Sequence, residues 1–234
     1  MKAALPFAFA VLLAACSSEA PEPEPTPTAT VAAPRTLVAA NLDREGLGAK
    51  IEGPDGTDPQ SPITVDGKQV GMITSFVTCP KDMNTCDPAT LPAGTKLTYV
   101  YTIMPDPTAG EDLRAVAPQA TNPAGTTEMP PAYFRTTRPA PGFGGTLGYA
   151  KDEAAMALGD EDAITVTVDE GQIIWRVTGG EGWKAGKPVT VWWQSTDPPQ
   201  GPQQAFEIEW NGMTAPVTAP FPASEKPVER APKR

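Results

Sequence analysis

Two glutamates in "QAFEIEW", Glu207 and Glu209, stand two residues apart and would share one face of a β-strand, about 7 Å from each other. Paired carboxylates at that separation cleave glycosidic bonds. The same acids, alternating with Phe206, Ile208 and Trp210, also read as the solvated face of a half-buried strand. A second acidic group, Asp160, Glu161 and Asp162 with Asp152 and Glu153 nearby, carries the oxygen ligands that Ca²⁺ takes. It lacks the spaced D-x-D-x-D-G loop, so Ca²⁺ is the one cofactor to consider, and otherwise no cofactor and no metal site is expected. The chain has no histidine, which removes the commonest general base and the commonest metal ligand. It contains no G-x-S-x-G elbow, S-x-x-K pair, phosphate loop or G-x-G-x-x-G turn. No catalytic residue is assigned: the expectation is a non-enzymatic binding or assembly module, and the alternatives are an accessory or degenerate hydrolase of cell-envelope or extracellular glycans and a purely structural envelope protein.

Binding chemistry centres on "GKPVTVWWQSTDPPQGP", where Trp192 and Trp193 are adjacent. Neighbouring side chains on a strand point to opposite faces. Val189, Val191 and Trp193 form a core face, which turns Trp192 outward between Thr190 and Gln194. All five tryptophans fall between residues 175 and 210. Trp175, Trp193 and Trp210 sit on apolar strand faces, whereas Trp183 and Trp192 do not. A ring flanked by hydroxyl and amide groups stacks on sugars or anchors a protein interface. Trp192, Trp183, Thr190 and Gln194 are therefore the candidate binding residues, for a protein partner or a glycan. The competing expectation is structural: Trp192 packs under "DPPQGP", under a helix at 149–159, or against the first half of the chain.

The first residues read as an address. "MKAALPFAFAVLLAAC" places Lys2 before an apolar run, Ala3 to Ala15, too short to span a bilayer as a mature helix. Leu13-Ala14-Ala15-Cys16 resembles the lipobox of bacterial lipoproteins. The resemblance covers the leader alone. It implies cleavage before Cys16, a diacylglycerol thioether on its sulfur, and usually a third acyl chain on the new amino terminus. Two or three chains hold a protein firmly in a bilayer. Ser17 follows the modified cysteine, and by the same resemblance this favours the outer membrane. Only Cys79 and Cys86 then remain, and an even pair in an exported protein reads as a disulfide. Two cysteines without histidine do not complete a usual zinc set.

The chain has 18 basic and 28 acidic side chains, and loss of the leader removes Lys2 alone, so the mature charge is −11. That balance argues against nucleic acid as a partner. Residues 16–36 form a Pro-rich tether that in polyproline II geometry reaches about 60 Å from the lipid. Residues 217–234 read as a second Pro-rich segment, a disordered tail with a basic finish at Arg230, Lys233 and Arg234. One alternative gives that finish a contact with anionic lipid or cell-wall polymer.

The remainder must position the candidate residues, and it reads as mainly β. Period-2 alternation marks "LTYVYTI", "AITVTVD", "QIIWRVT" and "QAFEIEW". Only "YAKDEAAMALG", 149–159, has helical spacing, with Gly159 as its stop. "LPAGTKLTYVYTIMPDP" from Leu91 aligns with "WKAGKPVTVWWQSTDPP" from Trp183 without a gap, and the similar turns "TVDGKQV" and "TVDEGQI" precede them. An Ala-Gly turn leading into an aromatic strand is similar to fibronectin type III and other immunoglobulin-like domains. The expectation is one or two immunoglobulin-like β-sandwich units with a short helix. The tandem division is 37–120, holding the Cys79–Cys86 loop, and 121–216, holding the tryptophans. A single elaborated sandwich is the other arrangement.

Overall fold

Strands with apolar residues on alternate positions have one face to hide, and two such sheets hide each other. The computed structural model describes residues 33–107, 132–210 and 213–223. The leader 1–15, Cys16, Ser17, most of the 16–36 tether, the 120/121 boundary, and Arg230, Lys233 and Arg234 lie outside the described residues.

Thirteen strands are described, in two sheets. They are β1 (Arg35–Leu37), β2 (Ala40–Asn41), β3 (Leu47–Lys50), β4 (Gln60–Val65), β5 (Lys68–Pro80), β6 (Leu97–Pro105), β7 (Tyr133–Thr136), β8 (Phe143–Tyr149), β9 (Ile164–Asp169), β10 (Gln172–Val177), β11 (Val189–Ser195), β12 (Pro199–Trp210) and β13 (Met213–Pro222). One sheet runs β1-β9-β10-β7-β12-β13; the other runs β2-β8-β11-β6-β5-β3, with β4 also paired to β5. The single described α-helix, α1 (Lys151–Leu158), ends where expected: Gly159 takes a left-handed conformation and its N–H bonds Ala155 O at 3.0 Å. The described residues are mainly β, a two-sheet sandwich with one short helix.

The core lies between the sheets and is aromatic. Tyr101 of one sheet meets Phe134 and Phe206 of the other, with ring centroids 5.9 and 4.7 Å apart, and Trp193 meets Phe221 at 5.9 Å. Each large ring buries some 150–250 Å². Two hydrogen bonds cross the same gap, from Tyr101 Oη to Pro220 O at 2.8 Å and from Trp175 Nε1 to Gly148 O at 2.9 Å. Tyr101 and Trp175 thus satisfy their buried polar tips, whereas the buried Trp192 and Trp193 Nε1 atoms have no hydrogen-bond partner among the described residues.

The internal similarity is real locally and misleading globally. Both hairpin turns carry two consecutive left-handed residues, Asp66-Gly67 and Glu170-Gly171, the pattern whose twist matches flanking strands. Yet the two aligned strands, β6 and β11, are antiparallel neighbours, with Tyr99 opposite Trp193 and Tyr101 opposite Val191. The division into units 37–120 and 121–216 is therefore corrected to one sandwich. Every described strand that begins after residue 37 and ends before residue 120 lies in the same sheet. Among the described residues that half has no second sheet of its own to cover Tyr99 and Tyr101; the sheet holding β7, β12 and β13 supplies it.

Two boundaries also move. Residues 217–222, expected in the tail, complete β13, with Val217, Ala219 and Phe221 buried. Pro216, Pro220 and Pro222 are tolerated because β13 is an edge strand, where a missing N–H breaks no second ladder. At the other end, Arg35 and Thr36, expected in the tether, pair with Val168 and Thr167.

Candidate functional site

The outward tryptophan is covered. Trp192 does project from the face opposite Trp193, but it is only 6% exposed and packs with Leu42, Val100 and Ala150, with Phe76 at the margin. The cover is the stretch before β3. β2 pairs with β8 at one end of the sheet, β3 pairs with β5 at the other, and the intervening residues cross the outer face between them. Leu42 is fixed by its N–H to Tyr149 O at 3.1 Å, and Asn41 Oδ1 accepts from Lys151 N at 2.9 Å. Arg44 continues the strap with ion pairs to Asp152 (3.3 Å) and Glu153 (2.5 Å).

Gly148 makes this strap possible. A Cβ there would sit 1.8 Å from Ala40 O, a backbone atom with no rotamer to yield. Gly148→Ala is expected to push the strap off the sheet at a cost of about 1–3 kcal/mol and to open Trp192 to acrylamide quenching. Unchanged quenching and unchanged stability would show that the strap does not depend on that contact.

The other expected binding residues are also engaged. Thr190 shares a hydrogen bond with Thr102 Oγ1 at 2.8 Å, and Gln194 Nε2 donates to Thr98 Oγ1 at 3.2 Å. Trp183 packs its ring against the core and closes its own turn by donating to Lys187 O at 2.9 Å. The structure therefore corrects the proposed face of Trp192, Trp183, Thr190 and Gln194: the Trp192 ring is covered, the four side chains are each packed or hydrogen-bonded within the fold, and Trp183 alone keeps a partly exposed ring. Alternation assigns a face to each residue and cannot report that another segment lies over it.

The acids tell a similar story. Glu207 lies directly opposite Arg135; its Oε1 accepts from Arg135 Nη2 at 2.6 Å and from the Tyr133 hydroxyl at 2.9 Å. Its oxygen is tied to a cation and a phenol rather than held ready beside Glu209. In the other cluster Lys151 pairs with Asp162 at 2.6 Å, which raises the lysine pKa, while Asp160 caps the Asp162 N–H. Asp152 and Glu153 belong to Arg44. Among the described residues no three metal-ligating acids or cysteines converge. Cys79 and Cys86 are joined in a disulfide, with Cα atoms 5.6 Å apart.

What the sequence did not single out is a cavity of about 420 Å³ at one margin of the sandwich. Its walls carry six prolines: Pro54, Pro59 and Pro88 from the first half of the chain, and Pro199, Pro202 and Pro220 from β12 and β13. Ile51, Phe76 and Val77 also line it. The 51–59 excursion is pinned to β5 at both ends, by Ile51 N to Val77 O at 2.8 Å and Ser75 N to Pro59 O at 3.0 Å. At its tip Gly53 and Gly56 exchange both backbone hydrogen bonds. Pro88 is held nearby by the disulfide loop. The only sequence signal was the proline density of "EGPDGTDPQSP" and "DPPQGP", which reads equally well as turns.

Compared with known proteins, the chain matches no family model, no curated protein and no solved structure.

Proposed function

We propose that this chain is a lipid-anchored envelope protein, held at the outer membrane through acylated Cys16, whose sandwich body binds a partner instead of catalysing a reaction. The cavity carries the reading. It is of ligand-binding size, its walls are unreactive rings, and its two carboxylates, Glu52 and Asp55, stand on an exposed turn. A glycosidase needs one carboxyl sealed in apolar surroundings so that it stays protonated, and neither of these is sealed. The glycan alternative loses support for a second reason, since the ring that would have stacked on sugar lies under Leu42. A purely structural role would leave this opening without a purpose.

The anchor is tested by intact-mass measurement on the chain recovered from native membranes. The expected mass shows Cys16 as the first residue, carrying diacylglycerol and an amide-linked acyl chain. Cys16→Ser is expected to leave the membrane fraction almost entirely, because no other firm attachment is proposed. A mature wild-type chain with a free Cys16 thiol would overturn the anchoring half of the proposal.

A further inference from the structure

We infer that the proline-walled cavity receives a cationic side chain, Lys or Arg, presented by an extended segment of a partner polypeptide. This rests on the binding-module reading above and names the chemistry of its occupant.

The inference starts from what the walls can donate. Six lining residues are prolines and have no backbone N–H. The N–H groups of Ile51, Gly53 and Gly56 are already spent on Val77, Gly56 and Gly53. The Thr57 hydroxyl donates to Asp58 Oδ2 at 2.9 Å. Among the lining side chains the Gln200 amide is the donor left. Acceptors, by contrast, are in surplus. Glu52 and Asp55 are exposed at the mouth, and neither forms an ion pair among the described residues. The nearest lysine, Lys50, is committed to Asp58 and lies over the Phe76 ring, 4.2 Å from its centroid. A site rich in acceptors and poor in donors repels phosphates and carboxylates and suits a group that brings its own N–H bonds and positive charge.

The apolar surface decides which cation. Lys and Arg side chains lay a methylene stem along apolar atoms while the charged head stays near water. Here the stem would rest on the proline rings, and the head would lie at the mouth beside Glu52 and Asp55. The rims formed by Pro54, Asp55, Pro88 and Pro202 are exposed, so a polypeptide can enter and leave on either side. The chain's strongly acidic balance draws such a partner in and would drive an acidic one away.

The test titrates the full chain in detergent with the peptide acetyl-Leu-Arg-Pro-Leu-Arg amide, and with its analogue carrying Glu in place of both Arg, by calorimetry. The Arg peptide is expected to bind weakly, more weakly still as salt rises, and the Glu peptide not at all. Glu52→Gln/Asp55→Asn is expected to weaken binding by about three- to tenfold, the range for solvent-exposed ion pairs. The distant pair Asp160→Asn/Glu161→Gln should leave it unchanged, with circular dichroism confirming that both variants fold. Equal binding of the two peptides, or full binding by the Glu52/Asp55 variant, would overturn the cationic occupant while leaving a binding module in place. Equally tight binding of spermine would overturn the polypeptide. Binding that appears only after deletion of residues 224–234 would replace the partner with the chain's own basic end. Binding of neither peptide to either form would overturn the inference outright, with the anchor still judged by its mass measurement.

Discussion

Raising the pH above about 10 is expected to unfold the sandwich steeply, because all four tyrosines must give up a proton that the fold retains. Each phenol donates a hydrogen bond: Tyr99 to Asp197 O at 2.7 Å, Tyr101 to Pro220 O at 2.8 Å, Tyr133 to Glu207 Oε1 at 2.9 Å and Tyr149 to Glu161 O at 3.0 Å. A phenolate cannot make any of these bonds and would face the acceptor's negative charge. Burial holds Tyr99 far above its ordinary range, aided by Tyr101 and Asp197. Burial does the same for Tyr101, against a smaller opposing pull from Trp193. Tyr149 is raised chiefly by burial, and Tyr133 is pushed up to about 12 by burial and by its bond to Glu207.

The unfolded chain therefore sheds protons near pH 10 while the folded one keeps them, so stability falls as pH rises. The stabilisation is fully present below about pH 10 and is lost on the way to the folded values. Tyr99 and Tyr101 alone remove about 2.7 kcal/mol per pH unit. By about pH 12 they have removed about 5 kcal/mol, the scale of a whole domain's stability. Tyr133, only partly buried, adds less. Near-ultraviolet phenolate absorbance and far-ultraviolet circular dichroism, followed on the same samples from about pH 9 to about pH 12, provide the measurement. Phenolate should stay low until the sheet signal is lost and then rise for several rings together. Phenols that titrate near pH 10 with the sheet signal intact would mean the two buried rings are not sealed.

The same rings show how far alternation carries a reading. "LTYVYTI" and "VTVWWQS" revealed correctly which residues face the core, because a strand in a one-sided sheet must separate its two faces. They did not reveal that the two strands are neighbours, since pairing depends on the path of everything between them. Trp192 was placed on the outer face, as found; its burial depends on Leu42, about 150 residues earlier, and on the missing side chain of Gly148. The prolines of β13 hid a strand because proline is normally a breaker, and only the strand's edge position makes it harmless. The cavity was hidden for a different reason. Its walls come from the 51–59 turn, β5, the disulfide loop and the β12–β13 ladder, segments that share no local pattern except proline.

Phe206→Ala is expected to be the most damaging single substitution on β12, and its neighbour Glu207 supplies the control. The Phe206 ring is fully buried between the sheets, with centroids 4.7 Å from Tyr101, 5.2 Å from Phe134 and 5.4 Å from Phe221. Those partners belong to both sheets, so they cannot all close on the space the ring leaves. Truncating a large buried aromatic costs about 3–5 kcal/mol, or a fall of roughly 10 °C in Tm for a body of this size. Glu207, one residue on, faces solvent with its carboxylate side chain 24% exposed. Glu207→Gln keeps an oxygen for Tyr133 and Arg135 and loses only the charge, at about 0.5–1 kcal/mol. Urea unfolding should therefore shift its midpoint several times further for Phe206→Ala than for Glu207→Gln, with similar slopes. If the two shifts were comparable, the sheets would not be joined through this ring, because one strand's two faces would then carry equal weight.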